Sequence, residues 1–222
     1  PLEGFAYTIS GDRATVSSLD DLKSALADNA ISVIVLSAPV SGKSAIVISD
    51  DTVLDGMMPN GRRKTIQVES PFLPASGEVA LGTSNGQLSI VRPDPAEYST
   101  YRLFEIKANS KLTLSNMQLM GGFTGSATVN DEATTGGIDN YGFLEMHNVD
   151  ILRTGTALLN RPLARALLVD CNIVRNANWY GGGILNFSRR VGSTDEYADG
   201  GTVVMDGCSL TENKSLGPQH GG

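Results

Sequence analysis

The stretch LTLSNMQL at residues 112–119 decides the fold, because its pattern returns as LEMHNVDI at 144–151, ALLVDCNI at 166–173 and VVMDGCSL at 203–210. In each copy, two alternating apolar residues predict a short strand, and the fifth position holds a turn-forming residue. Two more alternating apolar residues then predict a second strand. We call these four copies the repeat segments, and each predicts two strands that meet at a sharp corner.

Turn-forming residues mark the corner of every repeat segment. The position holds Asn116, Asn148, Asp170 and Gly207, which are residue types that tolerate the left-handed backbone of a tight corner. Other asparagines recur as well. Three of the segments are preceded by Asn140, Asn160 and Asn186, and two are followed, three residues beyond their last apolar position, by Asn176 and Asn213. The agreement between these registers predicts that the segments are equivalent coils of one repeating structure.

The spacing of the segments predicts a solenoid. Their sixth positions are 32, 22 and 37 residues apart. Twenty-two residues suit one bare coil, and the longer intervals predict insertions near 122–135 and 187–201. Stacked coils lie about 4.8 Å apart, so equivalent apolar side chains form columns and asparagine amides can bond between coils. Because parallel crossovers are almost always right-handed, we predict an all-β fold, a right-handed parallel β-helix.

A sandwich or barrel built from hairpins is the alternative architecture, since short strands and frequent turns suit it too. Hairpin sheets, however, do not require an asparagine-bearing corner in every copy, and the matching segments lie at least 22 residues apart. The β-helix makes one decisive prediction. Its interior should hold a single column of four stacked residues, namely Met117, Val149, Cys171 and Cys208.

The N-terminal part of the chain predicts a helix followed by strands. Ser17 or Ser18 can cap a helix whose first turn holds Asp20 and Asp21, and apolar residues follow at helical spacing. We therefore predict a short capping α-helix near residues 18–28. Strands are predicted after it at residues 31–35, 45–48, 52–54, 65–68, 88–91 and 103–106.

Charge and hydropathy argue against two kinds of partner. The chain has 17 Lys and Arg against 24 Asp and Glu, and a net charge of -7 gives no basic field for a nucleic acid backbone. Its most apolar run, residues 31–40, is much shorter than the roughly 20 residues that cross a bilayer. We therefore predict neither nucleic acid binding nor membrane insertion by this segment.

The whole chain, residues 1–222, is expected to form a single domain. The repeat pattern is still running at GPQHGG, residues 217–222, where another Gly-Gly turn begins. Exposed terminal coils of a solenoid invite aggregation unless they are covered. The domain is therefore expected to be an N-terminal part of a longer repeat protein.

The second half of the chain resembles a known class of repeat proteins. GGGILN at 181–186, with CNIVRN at 171–176 and CSLTEN at 208–213, resembles secreted β-helix proteins with polymorphic outer-membrane-protein-like repeats, which pair a Gly-Gly-apolar turn with a Phe-x-x-Asn element. Here Ile173 and Leu210 replace the Phe. The resemblance covers about residues 102–222 and implies a surface-exposed adhesin or passenger domain. The N-terminal helix and first strands resemble the entrance of pectate-lyase-like β-helices, which include polysaccharide lyases and epimerases.

Such an enzyme would need carboxylates that hold calcium and a basic residue that removes a proton beside a uronic acid carboxylate. The repeat places Arg153, Arg175 and Glu212 in one outward column, where the two arginines could grip an anionic sugar chain. A solvated face in which Glu212 offsets Arg175 is the simpler interpretation. We therefore predict no catalytic residue. The candidates under the enzyme alternative are Asp150, Asp170, Arg153 and Arg175.

Aromatic and imidazole side chains give weak signals. Trp179 and Tyr180 precede three glycines, and they could form a ligand-binding platform for a sugar ring or cover the end of a coil. Neither His147 nor His220 has a neighbour in sequence that suggests nucleophilic or metal chemistry. No cofactor and no metal site is predicted.

Two further pairs of residues allow two interpretations each. Cys171 and Cys208 hold equivalent positions, at a spacing that a disulfide accepts, but their parallel side-chain directions favour two buried thiols. Asn186 and Asn213 begin the glycosylation sequons NFS and NKS. Both asparagines also have a structural explanation, because they occupy recurring positions of the repeat.

The function expected first is that of a non-catalytic extracellular or cell-surface module, either an adhesin, a passenger or a filament segment. Its elongated surface would contact protein or carbohydrate, and its partners would be other copies or other domains of a larger assembly. The alternative is a polysaccharide lyase or epimerase that acts on acidic glycans. A third possibility is a structural spacer without a ligand. Acidic and basic residues gathered beside a cleft would favour the enzyme, whereas scattered charges favour the module.

Overall fold

The computed structural model describes residues 7–36, 45–68, 81–84, 87–90, 102–121, 136–178, 181–190 and 197–215. Most of these residues are in strands, and a single α-helix lies among them. The strands of the repeat segments pair in parallel, so the fold is all-β with parallel sheets.

The first half of the chain holds the helix and nine strands among its described residues. They are β1 (Thr8–Ser10), β2 (Arg13–Val16), α1 (Leu19–Ala27), β3 (Val33–Leu36), β4 (Ile46–Ile48), β5 (Thr52–Asp55), β6 (Lys64–Val68), β7 (Leu81–Ser84), β8 (Gln87–Ile90) and β9 (Phe104–Ile106). The second half adds two long strands and several short ones. They are β10 (Lys111–Gly121), β11 (Ile138–Asn140), β12 (Phe143–Leu152), β13 (Leu158–Asn160), β14 (Arg165–Val169), β15 (Asn172–Val174), β16 (Ala177–Asn178), β17 (Ile184–Asn186), β18 (Arg189–Arg190), β19 (Tyr197–Ala198), β20 (Thr202–Asp206), β21 (Ser209–Thr211) and β22 (Lys214–Ser215).

The N-terminal helix is confirmed. Ser18 caps it, and its hydroxyl accepts a 3.1 Å hydrogen bond from the backbone N–H of Asp21. Leu22 and Ala25 are the apolar residues that α1 buries completely. Ahead of the helix, β1 and β2 form an antiparallel hairpin that the sequence analysis did not predict.

The repeat segments pair in parallel and in the register that the sequence predicted. Met117 lies opposite Val149 in the pairing of β10 with β12. Ile151 lies opposite Ile173, which in turn lies opposite Leu210. All these strands belong to one sheet, which we call the first sheet, in the order β1-β2-β3-β6-β10-β12-β14-β20, with β5, β15 and β21 beside this path. The hairpin alternative is therefore wrong for the repeat segments.

A fifth segment, which the sequence analysis missed, precedes the four. β5 pairs with the first half of β10, and β6 pairs with its second half. Gly56 takes the corner, where an added Cβ would lie 2.7 Å from the backbone oxygen of Asn116. Residues 57–63 are inserted directly after this glycine, so they split the pattern. We call residues 57–63 the corner loop.

Left-handed backbone occurs at the predicted corners and at a second set of positions. The predicted corners Asn116, Asn148, Asp170 and Gly207 have φ values of 54°, 54°, 53° and 61°. The second set lies at the end of β10 and directly after β12, β15 and β21. It consists of Gly121, Arg153, Arg175 and Glu212, with φ values of 90°, 52°, 56° and 56°. The column predicted for its charged members is therefore also a backbone corner.

The predicted interior column is present. Met117, Val149 and Cys171 are completely buried in one hydrophobic core, and Cys208 is partly buried against that core. Leucine and isoleucine side chains of the same strands surround them. Burial of these apolar columns is the main driving force for the fold.

A second parallel sheet has the strand order β17-β13-β11-β9-β4. The last residues of its strands β11, β13 and β17 form the predicted asparagine ladder. The amide nitrogen of Asn140 donates to the side-chain oxygen of Asn160, and Asn160 donates likewise to Asn186, each over 2.8 Å. A similar bond of 2.9 Å joins Asn176 to Asn213. Amide bonding between adjacent segments is thus confirmed at both positions.

Two short antiparallel pairs of strands are separate from the parallel sheets. β18 pairs with β19 inside the insertion predicted at 187–201, and β7 pairs with β8 where the sequence predicted a strand at 88–91. The insertion predicted at 122–135 lies outside the described residues.

Candidate functional site

A polar groove lies between the corner loop and the outward face of the first sheet. Its volume is about 360 Å³. The walls come from β3 and the residue before it, from the corner loop, from β6 and from β10. The lining residues are Ser32, Val33, Gly61, Arg62, Arg63, Thr65 and Gln118.

Short polar side chains fix the corner loop. The carboxylate of Asp55 accepts a 2.9 Å hydrogen bond from the backbone N–H of Met57, and the side-chain oxygen of Asn60 accepts a 3.0 Å bond from that of Arg62. Such bonds to the backbone two residues further on are typical of Asx turns. Gly61 supplies the left-handed residue of the loop, with φ of 77°. This local chemistry brings Arg62 and Arg63 to the groove.

Arg63 ties the corner loop to a distant part of the chain. Its guanidinium donates to the backbone oxygen of Asn148 over 3.1 Å and to the side-chain oxygen of that residue over 3.3 Å. It also forms an ion pair with the carboxylate of Asp150. Arg63 is therefore held in place at the edge of the groove.

Asp150 belongs to a row of polar side chains that runs across the first sheet. We call this row the polar column, and it consists of Thr65, Gln118, Asp150, Asn172 and Ser209. Asp150 accepts hydrogen bonds from Gln118 over 3.3 Å and from Asn172 over 2.8 Å. Ser209 donates to Asn172 over 2.7 Å. The column is thus hydrogen-bonded from one segment to the next.

The surroundings of Asp150 keep its carboxylate ionised. Burial acts to raise its pKa, but the hydrogen bonds from Arg63, Asn172 and Gln118 and the charge of Arg63 outweigh burial, so the pKa lies below its ordinary value. A general acid or base works best with a pKa near the working pH. The environment of Asp150 therefore favours a structural carboxylate over a proton-transfer group.

Charges of both signs stand at the groove. Ser32 donates a hydrogen bond to the carboxylate of Asp12. That bond, together with the nearby Arg62 and Arg13, lowers the pKa of Asp12. Arg62 is exposed. The groove can therefore offer hydrogen-bond donors and acceptors to a polar ligand, with a cation at its edge.

Two of the four residues of the enzyme alternative, Asp150 and Arg175, are bonded to other side chains. Asp150 is engaged as described above, and Asp170 is exposed at its corner. Arg153 and Arg175 lie at equivalent positions of adjacent segments. The guanidinium of Arg175 donates to the carboxylate of Glu212 over 2.6 Å, and both side chains are more than half exposed. The pairing predicted between Arg175 and Glu212 is therefore present.

The aromatic and histidine candidates divide into two groups. Trp179, Tyr180 and His220 lie outside the described residues. The side chain of His147 is 42% exposed and lies 2.8 Å from the carboxylate of Glu145, which also pairs with Lys111. Hydrogen bonds from Lys111 and His147 lower the pKa of Glu145.

Both cysteines are free thiols, and both sequon asparagines are engaged. Burial raises the pKa of the Cys171 thiol to about 11, which makes it a poor nucleophile. The amide of Asn186 donates to the backbone oxygen of Gly201 over 2.8 Å, and that of Asn213 donates to the backbone oxygen of Ile173 over 2.7 Å. A glycan on either nitrogen would displace these bonds.

A buried ion cluster was missed in the sequence. Asp139 is completely buried on the second sheet and pairs with Arg102 and Arg161, both of which are also buried. Arg161 stacks against the rings of Tyr141 and Phe187 at 5.1 and 5.9 Å. The sequence carried one sign of this cluster: Asp139 occupies the position at which β13 and β17 have leucines.

Within the ranges described above, no group of three or more His, Cys, Asp or Glu side chains is placed to hold a metal ion. The helix found there is too short to cross a membrane. Comparisons of the chain with models of protein families, with curated proteins and with solved structures gave no match.

Proposed function

We propose that this chain is a right-handed parallel β-helix that works as a non-catalytic extracellular or cell-surface module. It would present an elongated surface for protein or carbohydrate contacts. The observation that carries the proposal is the polar column. Outward carboxylate, amide and hydroxyl groups of successive segments are bonded to one another, so these side chains stabilise a rigid surface.

The β-helix itself is supported by the order in which the chain visits its two sheets. β12 belongs to the first sheet, β13 to the second, and β14 to the first again. Each return adds a strand in parallel beside the preceding one. A chain that repeats this path winds into a helix, and the right-handed sense follows from the rule for parallel crossovers.

The non-catalytic role is supported by the state of Asp150. This carboxylate stands beside the groove, yet three side chains donate hydrogen bonds to it. If Asp150 accepted a proton during catalysis, these hydrogen bonds would have to break. The groove is better suited to recognition, because Arg62 and Gln118 can exchange water for the hydroxyl or carboxylate groups of a ligand.

The extracellular setting rests on the resemblance to secreted β-helix proteins with adhesin-type repeats. Modules of this kind act as parts of larger assemblies, so the expected partners are other copies or other domains of such an assembly. Contact through one shallow groove predicts weak affinity for a single ligand, and binding would gain from several modules acting together.

A polysaccharide lyase or epimerase is the second candidate. The observation that favours it is the position of Arg153 and Arg175, which project from adjacent segments at one corner. A row of cations at strand spacing could hold an acidic glycan, with Asp150 or Asp170 as the carboxylate of the site.

One experiment separates the two candidates. The chain is incubated with a panel of acidic polysaccharides in the presence of calcium, while absorbance reports the unsaturated products of a lyase, proton NMR reports the changed uronate configuration that an epimerase would produce, and a glycan array reports binding. A module should bind without forming product, and Arg62→Ala should weaken that binding at least fivefold. The matched control Arg165→Ala changes an exposed arginine of β14, and it should leave binding intact. Product formation would overturn the module, and equal effects of the two substitutions would exclude the groove.

A further inference from the structure

The two cysteines of the chain lie opposite each other in adjacent segments. Before them β14 pairs with β20, and after them β15 pairs with β21, in a register that sets Cys171 opposite Cys208. The backbone N–H of Ser209 also donates a 2.9 Å hydrogen bond to the backbone oxygen of Cys171. Because backbone pairing continues on both sides of the cysteines, their Cα atoms lie at strand spacing, about 4.8 Å apart. A disulfide accepts Cα separations of about 4.4–6.8 Å.

The thiol of Cys208 already points towards Cys171. Its sulfur accepts a 3.4 Å hydrogen bond from the backbone N–H of Cys171, and it donates to the backbone oxygen of Leu168 over 3.3 Å. The thiol of Cys171 points the other way and lies 3.6 Å from the backbone oxygen of Met146 in the preceding segment. Side chains change between staggered rotamers, so rotation of Cys171 about χ1 turns its sulfur towards that of Cys208. One rotamer change therefore brings the two sulfurs to face each other.

Both thiols belong to the interior column. Cys171 is completely buried in the hydrophobic core, and Cys208 packs against it. Larger apolar residues, Met117 and Val149, fill the same column in the two segments before them. Packing alone would be served by such residues, yet the only two cysteines of the chain stand at this one position. Their coincidence indicates a role that needs two sulfur atoms.

We propose that Cys171 and Cys208 are a cross-linking site, at which a low-molecular-weight disulfide such as oxidised glutathione forms a disulfide bond between two adjacent segments and thereby stabilises the stack. The proposal goes beyond the module function, since it needs neither the groove nor its ligand. Its relevance in nature rests on the extracellular setting proposed above, because disulfides persist in oxidising surroundings. A chain that binds glycans but forms no disulfide would overturn this proposal alone, and a cross-linked chain that binds no glycan would overturn the other alone.

The cross-link forms by two exchange steps. In the first, the thiolate of one cysteine attacks a sulfur of oxidised glutathione, a mixed disulfide of protein and glutathione forms, and one glutathione leaves as its thiolate. In the second, the thiolate of the other cysteine attacks the protein sulfur of that mixed disulfide, and the second glutathione leaves. The two cysteines lose two electrons and two protons, and the two glutathione molecules that leave take them up.

The reaction of the folded chain should be slow at neutral pH. Burial raises the pKa of Cys171 to about 11, so only a small fraction of this thiol is the reactive thiolate at pH 7. Below the pKa, that fraction grows about tenfold for each pH unit. We therefore expect cross-linking at pH 9 to be at least about tenfold faster than at pH 7.

The first test follows the reduced full chain with oxidised glutathione at pH 7 and pH 9. Intact mass spectrometry should show the loss of two hydrogen atoms without attached glutathione, and a non-reducing digest should show one disulfide that joins the peptides of Cys171 and Cys208. Reduction should reverse both changes. Chains that keep glutathione bound to each cysteine, or cross-links found only between two chains, would overturn the proposal.

A matched variant keeps two thiols but moves one of them. Cys208→Ala combined with Met205→Cys places the second thiol opposite Leu168 instead of Cys171. This variant should form the intramolecular disulfide at least about tenfold more slowly than the parent chain. Circular dichroism checks that the variant is folded. Equal rates would mean that the stacked position of the two cysteines is irrelevant, and the proposal would be wrong.

A second test measures thermal unfolding of the oxidised and the reduced chain. A disulfide between residues 37 positions apart restricts the unfolded chain, so oxidation should raise the Tm by at least about 4 °C. Cys208→Ala removes one partner, and its Tm should not respond to oxidised glutathione. An unchanged or lower Tm of the cross-linked parent chain would show that the bond strains the stack, and it would overturn the stabilising role.

Discussion

Lys64 donates a 2.6 Å hydrogen bond to the backbone oxygen of Asp28. The same ammonium group donates to the backbone oxygens of Ala25 and Leu26 over 2.9 and 2.7 Å. The last carbonyl groups of a helix have no partner within the helix. A strand residue of the fifth segment therefore satisfies the end of α1 and joins the helix to the first sheet.

Replacing Lys64 should separate these two elements. We expect Lys64→Met to lower the free energy of unfolding by about 2 kcal/mol, because buried carbonyl groups lose their donor. Urea denaturation measures the change, and hydrogen exchange should increase first in α1. Lys23→Met on the exposed face of the helix is the control. Equal stability of Lys64→Met and the parent chain would show that the buried ammonium contributes nothing on balance.

Asp150 should make the stability of the chain depend on pH. Its pKa is lowered in the folded state, so its contribution is present above the unfolded pKa of about 3.9 and is lost as the pH falls through the folded pKa. Asp150→Asn should therefore lower stability by about 1.5 kcal/mol at pH 7, and the difference should shrink as the pH falls below 4. Urea titrations at pH 7, 4 and 3 measure it.

The control for Asp150→Asn is Glu212→Gln. Glu212 also has a lowered pKa, caused by the hydrogen bond from Arg175 and the charge of that residue. It is exposed, however, and exposed ion pairs contribute little. A pH-independent effect of Asp150→Asn, or an equal effect of the two substitutions, would contradict the role assigned to Arg63 and its partners.

The corners and ladders could be predicted from the sequence because their physical causes are local. The left-handed backbone at a corner such as Asn148 depends mainly on the residue type at that position. Because the segments stack in register, the same type of residue recurs at each corner. The fifth segment escaped because the corner loop interrupts it and because Lys64 stands in the interior column where Met117, Val149 and Cys171 predicted an apolar residue.

The groove could not be predicted, for a different reason. Arg63 and Asp150 are 87 residues apart, and their contact depends on which segments are neighbours and on how the corner loop folds. Asp139 was visible as a departure from leucine, but its partners Arg102 and Arg161 lie outside the strands and outside the repeat pattern. The periodicity of the sequence predicts which residues lie over one another in successive segments. It does not predict the contacts that these residues make with side chains outside the repeat pattern.

The contribution of an asparagine to the free energy of unfolding should increase with its burial. Asn160 is completely buried and bonds to Asn140 on one side and Asn186 on the other. Asn160→Ala leaves both neighbours without that partner, so we expect a loss of about 3 kcal/mol. Asn172→Ala, at an exposed position of the polar column, should cost less than about 1 kcal/mol. Thermal and urea unfolding measure both, and a reversed order would contradict the structural role of the buried ladder.

One turn should be improvable by mutation. Leu163 follows Pro162, has a φ of 67° and is 69% exposed, and the N–H of Ala164 donates to the backbone oxygen of Arg161 over 3.0 Å. Proline fixes a negative φ before it, so this is a type II turn, which favours glycine at the position of Leu163. We expect Leu163→Gly to raise the free energy of unfolding by about 0.5 kcal/mol, since relief of left-handed strain exceeds the entropic cost of glycine.

The informative control for the turn is Leu163→Ala. Alanine removes the exposed side chain but keeps the Cβ that disfavours positive φ, so it should bring no gain in urea unfolding. A gain of equal size with alanine would mean that exposure of the leucine, and not the backbone, limits stability. If glycine instead lowers stability, the Leu163 side chain makes a contact that outweighs the strain at φ of 67°, and the turn would have to be treated as a packing element of the fold.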